Sequence, residues 1–206
     1  MNTRKNFALR KARNGKGFLP PNPTRWEHEH NGLDVRHQLS LSPEDRFSHQ
    51  DAFVRLLPDV IVVSHLDLPI DASRRDHFSG ARSSKWSGMC APCPDGTMLV
   101  IYNGGHPETR IRATLMEEFF HLWLEHRSDR LRLLGNGNSK RSYDSDKEAE
   151  AYGSGAAALV PYKALKAMVN AGKNIAEIAD HFMVSEQLVV FRIRVSKIRL
   201  IATPVI

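Results

Sequence analysis

Residues 115–126 read LMEEFFHLWLEH. On a helix, side chains four apart stand one above the other, so Glu117 and His121 project to the same side, about one turn apart. Two side chains so placed can share one metal ion. Glu118, one step round, can reach a water beside that ion without ligating it. Leu115, Phe119, Leu122 and Trp123 recur at helical spacing and supply an apolar face. The stretch therefore predicts a helix from about Pro107 to His126 with one face for a core and one for chemistry.

The pattern is one exchange away from H-E-x-x-H, in which a rigid rod carries two metal ligands and a general base. Glu117 stands where the first His would be. A catalytic zinc site needs a third protein ligand and keeps a fourth position open. Glu148, in DKEAEAYGSGAAALVP (146–161), is the downstream candidate, provided a second helix packs across the first. Its small residues Gly153, Ser154, Gly155, Ala156, Ala157 and Ala158 permit that approach. Glu150 is the fallback, on a different face. The competing reading is plainer: a charged helix face with one partly buried His, and Ser145-x-x-Glu148 as a capping box. His126, about 140° round the helix from His121, reads as a neighbour of the site or a surface group rather than a ligand.

Around this rod the chain reads as an α+β fold. The Pro-rich GFLPPNPTR (17–25) is a stop, and an ordered domain begins near Trp26. A helix follows from about Pro23 to Gln38, weakened by Gly32. Ser42-Pro43-Glu44 carries helix-start chemistry for SPEDRFSHQDAFVRLLP (42–58). DVIVVSHLDL (59–68) predicts a strand; KWSGMCAP (85–92) and GTMLVIYNG (96–104) predict two more, joined through Pro94-Asp95-Gly96. A loop or short irregular hairpin falls at 130–144. Helices follow from Ser145 towards Pro161 and over PYKALKAMVNAG (161–172), the latter closed by Gly172. Two short helices around a turn occupy 175–197. The expectation is a small twisted sheet with a hairpin, packed on a helical core, with a single domain over 26–200 and a basic tail over 1–25.

These segments, in order, resemble the ImmA/IrrE family of metallopeptidases. RIRATLMEEFFHLWLEH (110–126) followed by EAEAYGSGAAALVP (148–161) is similar to the family's metal-site helix and the helix that brings its Glu ligand. Asn103, Arg110, Arg112, His126, Ala151 and Pro161 fall in the family's order. Ala179, Phe182, Val184, Ser185 and Arg192 match its later segment, and the likeness runs from about Trp26 to Ile198. The resemblance implies zinc held by Glu117, His121 and Glu148, with Glu118 as the base for attack of a metal-bound water on a peptide bond. It also implies a protein substrate, often a transcriptional regulator, and an edge strand near 96–103 to pair with it. The departure is Glu117, a His in the family. Two carboxylates and one neutral imidazole cancel the charge of Zn²⁺, which weakens its hold on a water proton. A slower hydrolase, a preference for Mn²⁺ or Fe²⁺, or an inactive relative follows. Phe119-Phe120 would crowd the cleft if they faced it.

Charge and composition frame the alternatives. The net charge is +6, and residues 1–25 hold seven Lys/Arg and no acid, leaving the rest close to neutral. Such a tail suits weak binding to nucleic acid, an organelle-targeting leader, or a solvated segment with no partner. The segment 175–197 resembles a helix-turn-helix in which Arg192, Arg194 and Lys197 could meet phosphates. Its apolar Leu188, Val189, Val190, Phe191 and Ile193 favour a core role. A regulatory, DNA-binding protein on the peptidase fold is thus the competing function, and a partner-binding module of antitoxin type is a third. Glu27-x-x-His30 with Glu118-x-x-His121 echoes di-iron bundles, but the intervening strands favour a solvent-exposed pair. Cys90 and Cys93, the only cysteines, fall in a hairpin and read as structural thiols or a reversible disulfide. With no disulfide framework, no secretory signal and no apolar run near the ~18–20 residues of a membrane span, a cytoplasmic protein is expected.

Overall fold

A computed structural model of the chain describes residues 19–71, 78, 85–126, 132–133, 139–140 and 145–199. The basic segment up to residue 18 lies outside the described residues. Seven α-helices occur among them: α1 Trp26–Gln38, α2 His49–Leu56, α3 Glu108–Trp123, α4 Ser145–Leu159, α5 Tyr162–Asn170, α6 Ile175–Phe182 and α7 Glu186–Val195. The strands are β1 Val60–Ser64, β2 Gly88–Pro92, β3 Met98–Tyr102, and a minimal hairpin of β4 Arg132–Leu133 with β5 Ser139–Lys140. The fold is α+β, as the sequence predicts. No described helix is long and apolar enough to cross a membrane.

The three-stranded sheet has the order β1-β3-β2. β1 runs parallel to β3, from Val60 opposite Met98 to Ser64 opposite Tyr102, and β2 runs antiparallel to it, from Gly88 opposite Tyr102 to Pro92 opposite Met98. The hairpin closes where the Cys93 N–H donates to the Thr97 carbonyl at 2.8 Å. Gly96 takes φ +90° there, a conformation that side-chain-bearing residues resist. β3 is therefore central and paired on both edges. The expected edge strand at 96–103 is corrected to β2, which lies beside α3. Cys90 lies in β2 and Cys93 just past its end, and both are free thiols.

α2 begins six residues later than expected. Arg36, 1% exposed, gathers the carbonyls of Ser42 and Asp45 at 2.5 Å each. The Asp45 carboxylate in turn accepts the Ser42 N–H at 2.6 Å. That turn occupies the groups a helix starting at Ser42 would need, so Ser48 becomes the cap and accepts the Asp51 N–H at 3.1 Å.

The core is built around α4, which lies between α1 and α3. A Cβ on Gly32 of α1 would stand 2.6 Å from the Ala158 nitrogen, and one on Gly155 of α4 would stand 3.1 Å from the Met116 carbonyl oxygen. Missing side chains on both sides of α4 thus let three helices cross at close range. Gly32, an intrinsic weakness of α1 in isolation, is repaid by this packing. Phe119 and Phe120 are fully buried; Phe119 meets Phe53 edge-on at 5.4 Å and stacks on Trp123 at 5.7 Å. They fill the core and leave the cleft uncrowded.

The last carbonyls of α4, orphaned by helix geometry, are taken by two buried arginines. Arg36 donates to Ala158 O at 2.6 Å and Arg192 Nε to Val160 O at 2.9 Å. Arg192 also pairs with the fully buried Glu29 at 2.5 Å, and Glu29 accepts the Tyr162 N–H at 2.6 Å. This corrects the phosphate role considered for Arg192: a guanidinium 2% exposed inside the core cannot reach a nucleic acid. Ile178, Phe182, Leu188, Val189 and Ile193 are buried as well, so α6 and α7 complete the core. Glu27 and His30 are exposed, as expected.

His49, the first residue of α2, gives the fold an acid sensitivity. It is 4% exposed, its Nδ1 has no hydrogen-bond partner, and burial, then the nearby Arg112 charge, push its pKa down to about 4. Between the unfolded value of 6.5 and that lower value the unfolded chain takes up a proton that the native state refuses. Stability must therefore fall as pH drops through this window, by about 2 kcal/mol between pH 7 and pH 5. Urea unfolding at the two pH values should show that loss, and His49→Leu should remove most of the difference.

Candidate metal centre

The i, i+4 spacing on α3 sets Glu117 and His121 on one face, and the Gly155–Met116 contact lets α4 bring its first turn across that face. One ligand atom from each of Glu117, His121 and Glu148 lies within 4.8 Å of the others. The His121 Nε2 stands 3.5 Å from the nearer Glu148 oxygen. All three side chains are partly buried. The structure thus brings together the three residues singled out as ligands. Glu150, the fallback, points elsewhere: its carboxylate is 3.0 Å from His126 Nε2.

Glu118 stands one step round from this trio, at the seam between α3 and β2. Its Oε2 accepts a hydrogen bond from the Cys90 thiol at 2.9 Å. A Cβ on Gly88 would stand 2.8 Å from the Thr114 methyl and 3.1 Å from Glu118 Oε1. Gly88 and Cys90 are two apart on β2 and so share a face. The small residue clears space for the carboxylate and the thiol anchors it. Sequence reasoning missed both contacts; the only trace was the alternation of β2, which says which residues share a face and not what that face meets.

The electrostatics suit a cation. Glu117 is pushed up to about 7, first by burial, then by the charges of Glu118 and Glu148. Burial, and then the charge of Glu117, also raise the Tyr152 phenol on α4. Three carboxylates crowd one end of α3, two of them offering oxygens to the same small space as an imidazole nitrogen. A divalent ion there would offset the repulsion and make the ionised form of Glu117 affordable, and oxygen and imidazole donors are what such ions take. The residues therefore fit a metal.

His126 lies closer than helical geometry alone suggests. α3 ends at Trp123, and Glu125 takes φ +55°. The Glu125 N–H then bonds Leu122 O at 3.1 Å and the His126 N–H bonds His121 O at 2.9 Å, a Schellman ending. The chain folds back, and the His126 ring meets that of His121, Nδ1 to Nδ1, at 3.2 Å. The 140° separation assumed a helix that continued; it stops instead.

Other residues in the family's order prove structural. Asn103, fully buried, donates to Trp86 O at 3.3 Å and accepts the Gly105 N–H at 3.0 Å, fastening the end of β3 to the approach to β2. Arg110 reaches Ser87 Oγ at 3.0 Å. Arg112 donates to Phe47 O at 2.7 Å, and its pKa is lowered by burial.

Two candidate donors one turn apart on one helix, a third on the helix that crosses it, and a carboxylate one step round have the arrangement a helix-borne metal centre needs. The family model described as the IrrE N-terminal-like domain, Peptidase_M78, matches residues 61–194, and the chain belongs to that metallopeptidase family. No curated protein matches it. The match starts in β1, so α1 and α2 precede it, although the Glu29–Arg192 pair ties α1 to α7 within it.

Proposed function

We propose that the chain is a metal-dependent peptidase that cuts a regulatory protein, with Glu117, His121 and Glu148 holding the ion and Glu118 serving as general base. The observation that carries this is the convergence of those three donors, with the base next in line on the same rod, in a chain of a metallopeptidase family. The ion, when bound, would polarise a peptide carbonyl and acidify a nearby water. The chain's own residues do the rest. β2 lies beside α3 at the edge of the sheet, and among the described residues its outer side is unpaired. An extended substrate added to that edge would lie across Glu118. Glu118 takes the proton from the attacking water and passes it to the departing amine. The Cys90 thiol holds it in the seam meanwhile.

Zn²⁺ is the first candidate ion. The second carboxylate in place of an imidazole tilts the donor set towards oxygen, so Mn²⁺ and Fe²⁺ are the rivals. Elemental analysis and calorimetric titration test the reading. One divalent ion per chain is expected, with binding lost in His121→Ala and Glu117→Ala. A wild-type protein that takes up none of the three metals ends it. The DNA-binding alternative has lost Arg192 to the core; Arg194 and Lys197 stay exposed, and the basic tail it also drew on lies outside the described residues.

A further inference from the structure

Behind His121 runs a short chain of hydrogen bonds that the proposed chemistry does not itself use. His121 Nδ1 faces His126 Nδ1 at 3.2 Å, and His126 Nε2 faces a Glu150 oxygen at 3.0 Å. The rings of the two histidines stand edge to face at 5.3 Å. The His126 side chain is only 8% exposed, while Glu150 at 29% keeps contact with solvent.

The direction of each bond follows from what the groups can do. A carboxylate only accepts, so the hydrogen between His126 and Glu150 sits on His126 Nε2. A neutral His126 then has a bare Nδ1, which can only accept. The hydrogen between the two rings must therefore sit on His121 Nδ1. That leaves His121 Nε2 bare, and Nε2 is the nitrogen that faces Glu148. Two neutral rings and one carboxylate thus have one self-consistent arrangement, and it presents a lone pair to the space between Glu117 and Glu148.

We propose that His126 and Glu150 form a buttress that fixes His121 in its Nδ1–H tautomer and orientation, so that Nε2 is held ready for a divalent cation. The inference rests on the reading of His121 as a ligand. A hydrogen-bond partner behind a ligating imidazole both orients it and raises its basicity. Two local features build the device. The Schellman ending of α3 swings His126 back beneath His121. The spacing of Glu148 and Glu150, two apart in the first turns of α4, sends one carboxylate to the front of the imidazole and the other to the back of its partner. Glu150, in the sequence a spare ligand, gains a distinct duty. His126 and Glu150 are positioning residues: neither belongs to the group of donors that could hold an ion.

The test uses the full chain and Zn²⁺ alone, titrated against a chelating dye, with the tautomer of His121 read in the metal-free protein by long-range ¹H–¹⁵N correlation. His126→Leu and Glu150→Ala should weaken Zn²⁺ binding about 10–100-fold and shift His121 towards the Nε2–H form. His126→Gln should recover most of the affinity, since its amide can accept from His121 and donate to Glu150. Wild-type Zn²⁺ affinity in His126→Leu, or an Nε2–H tautomer in the wild type, overturns the proposal. So does complete loss of binding that glutamine does not rescue, which would make His126 a ligand itself. Should the wild type bind no Zn²⁺ at all, the metal reading fails, and the tautomer measurement still decides the buttress on its own. Thermal unfolding of each metal-free variant identifies any that is merely misfolded.

Discussion

Replacing Arg192 by leucine should cost about 3–5 kcal/mol of stability, the usual penalty for removing one partner of a buried ion pair. Glu29 is fully buried and Arg192 is 2% exposed, so water cannot compensate the survivor. The loss would spread beyond the pair. Arg192 also takes the Val160 carbonyl, and Glu29 takes the Tyr162 N–H, so α1, the α4–α5 junction and α7 are held at one point. Glu29→Leu alone should be comparably harmful, leaving an unpaired guanidinium. The double variant should be less destabilised than the sum of the singles, because no uncompensated charge remains; Val160 O and the Tyr162 N–H would still lack partners, so recovery is partial. A double-mutant cycle by urea unfolding gives the coupling. Additive effects would mean that the pair contributes little as a pair.

That pair shows where the sequence stops being legible. Arg192 and Arg194 sit on α7 and Lys197 just past its end, and three basic residues so placed look like a phosphate-binding face. Nothing local marks one of them as buried. Its partner is 163 residues away in a segment, WEHEH, whose charges all look like surface. Long-range pairing of this kind leaves no periodicity to read. By contrast Glu117 and His121 were legible because their relation is local: i, i+4 on one helix has a single geometry. Glu148 became legible through the stripe of small residues beside it, which announces a close helix crossing without saying what it crosses. The order β1-β3-β2 was hidden for the same reason as the ion pair. Alternating strands reveal two faces, but which strand takes the middle depends on how far-apart segments meet. The mistaken edge strand at 96–103 and the unnoticed partners of Glu118 on β2 follow from that one gap.

Exchanging Glu118 for glutamine should lower kcat/KM by about 10²–10⁴, the range that general-base catalysis supplies, while leaving the metal in place. The substitution is close to isosteric, so the amide can occupy the seam beside Gly88 and still accept from the Cys90 thiol through its oxygen. What it loses is the capacity to take a proton. Metal binding should not suffer and should, if anything, tighten. Glu118 is one of the two charges that, after burial, raise the pKa of Glu117, and removing it makes the ionised form of Glu117 easier to hold. The combination separates two explanations that a simple loss of activity would not. A structural role for Glu118 predicts a lower unfolding temperature and loss of metal together. A role as base predicts undiminished metal content and an intact fold with turnover gone. The measurement is hydrolysis of a fluorogenic peptide selected from a library by the wild type, set beside metal content for both proteins. If the glutamine variant cleaves that peptide as fast as the wild type, the base lies elsewhere and the charge on Glu118 serves only the packing of α3 against β2.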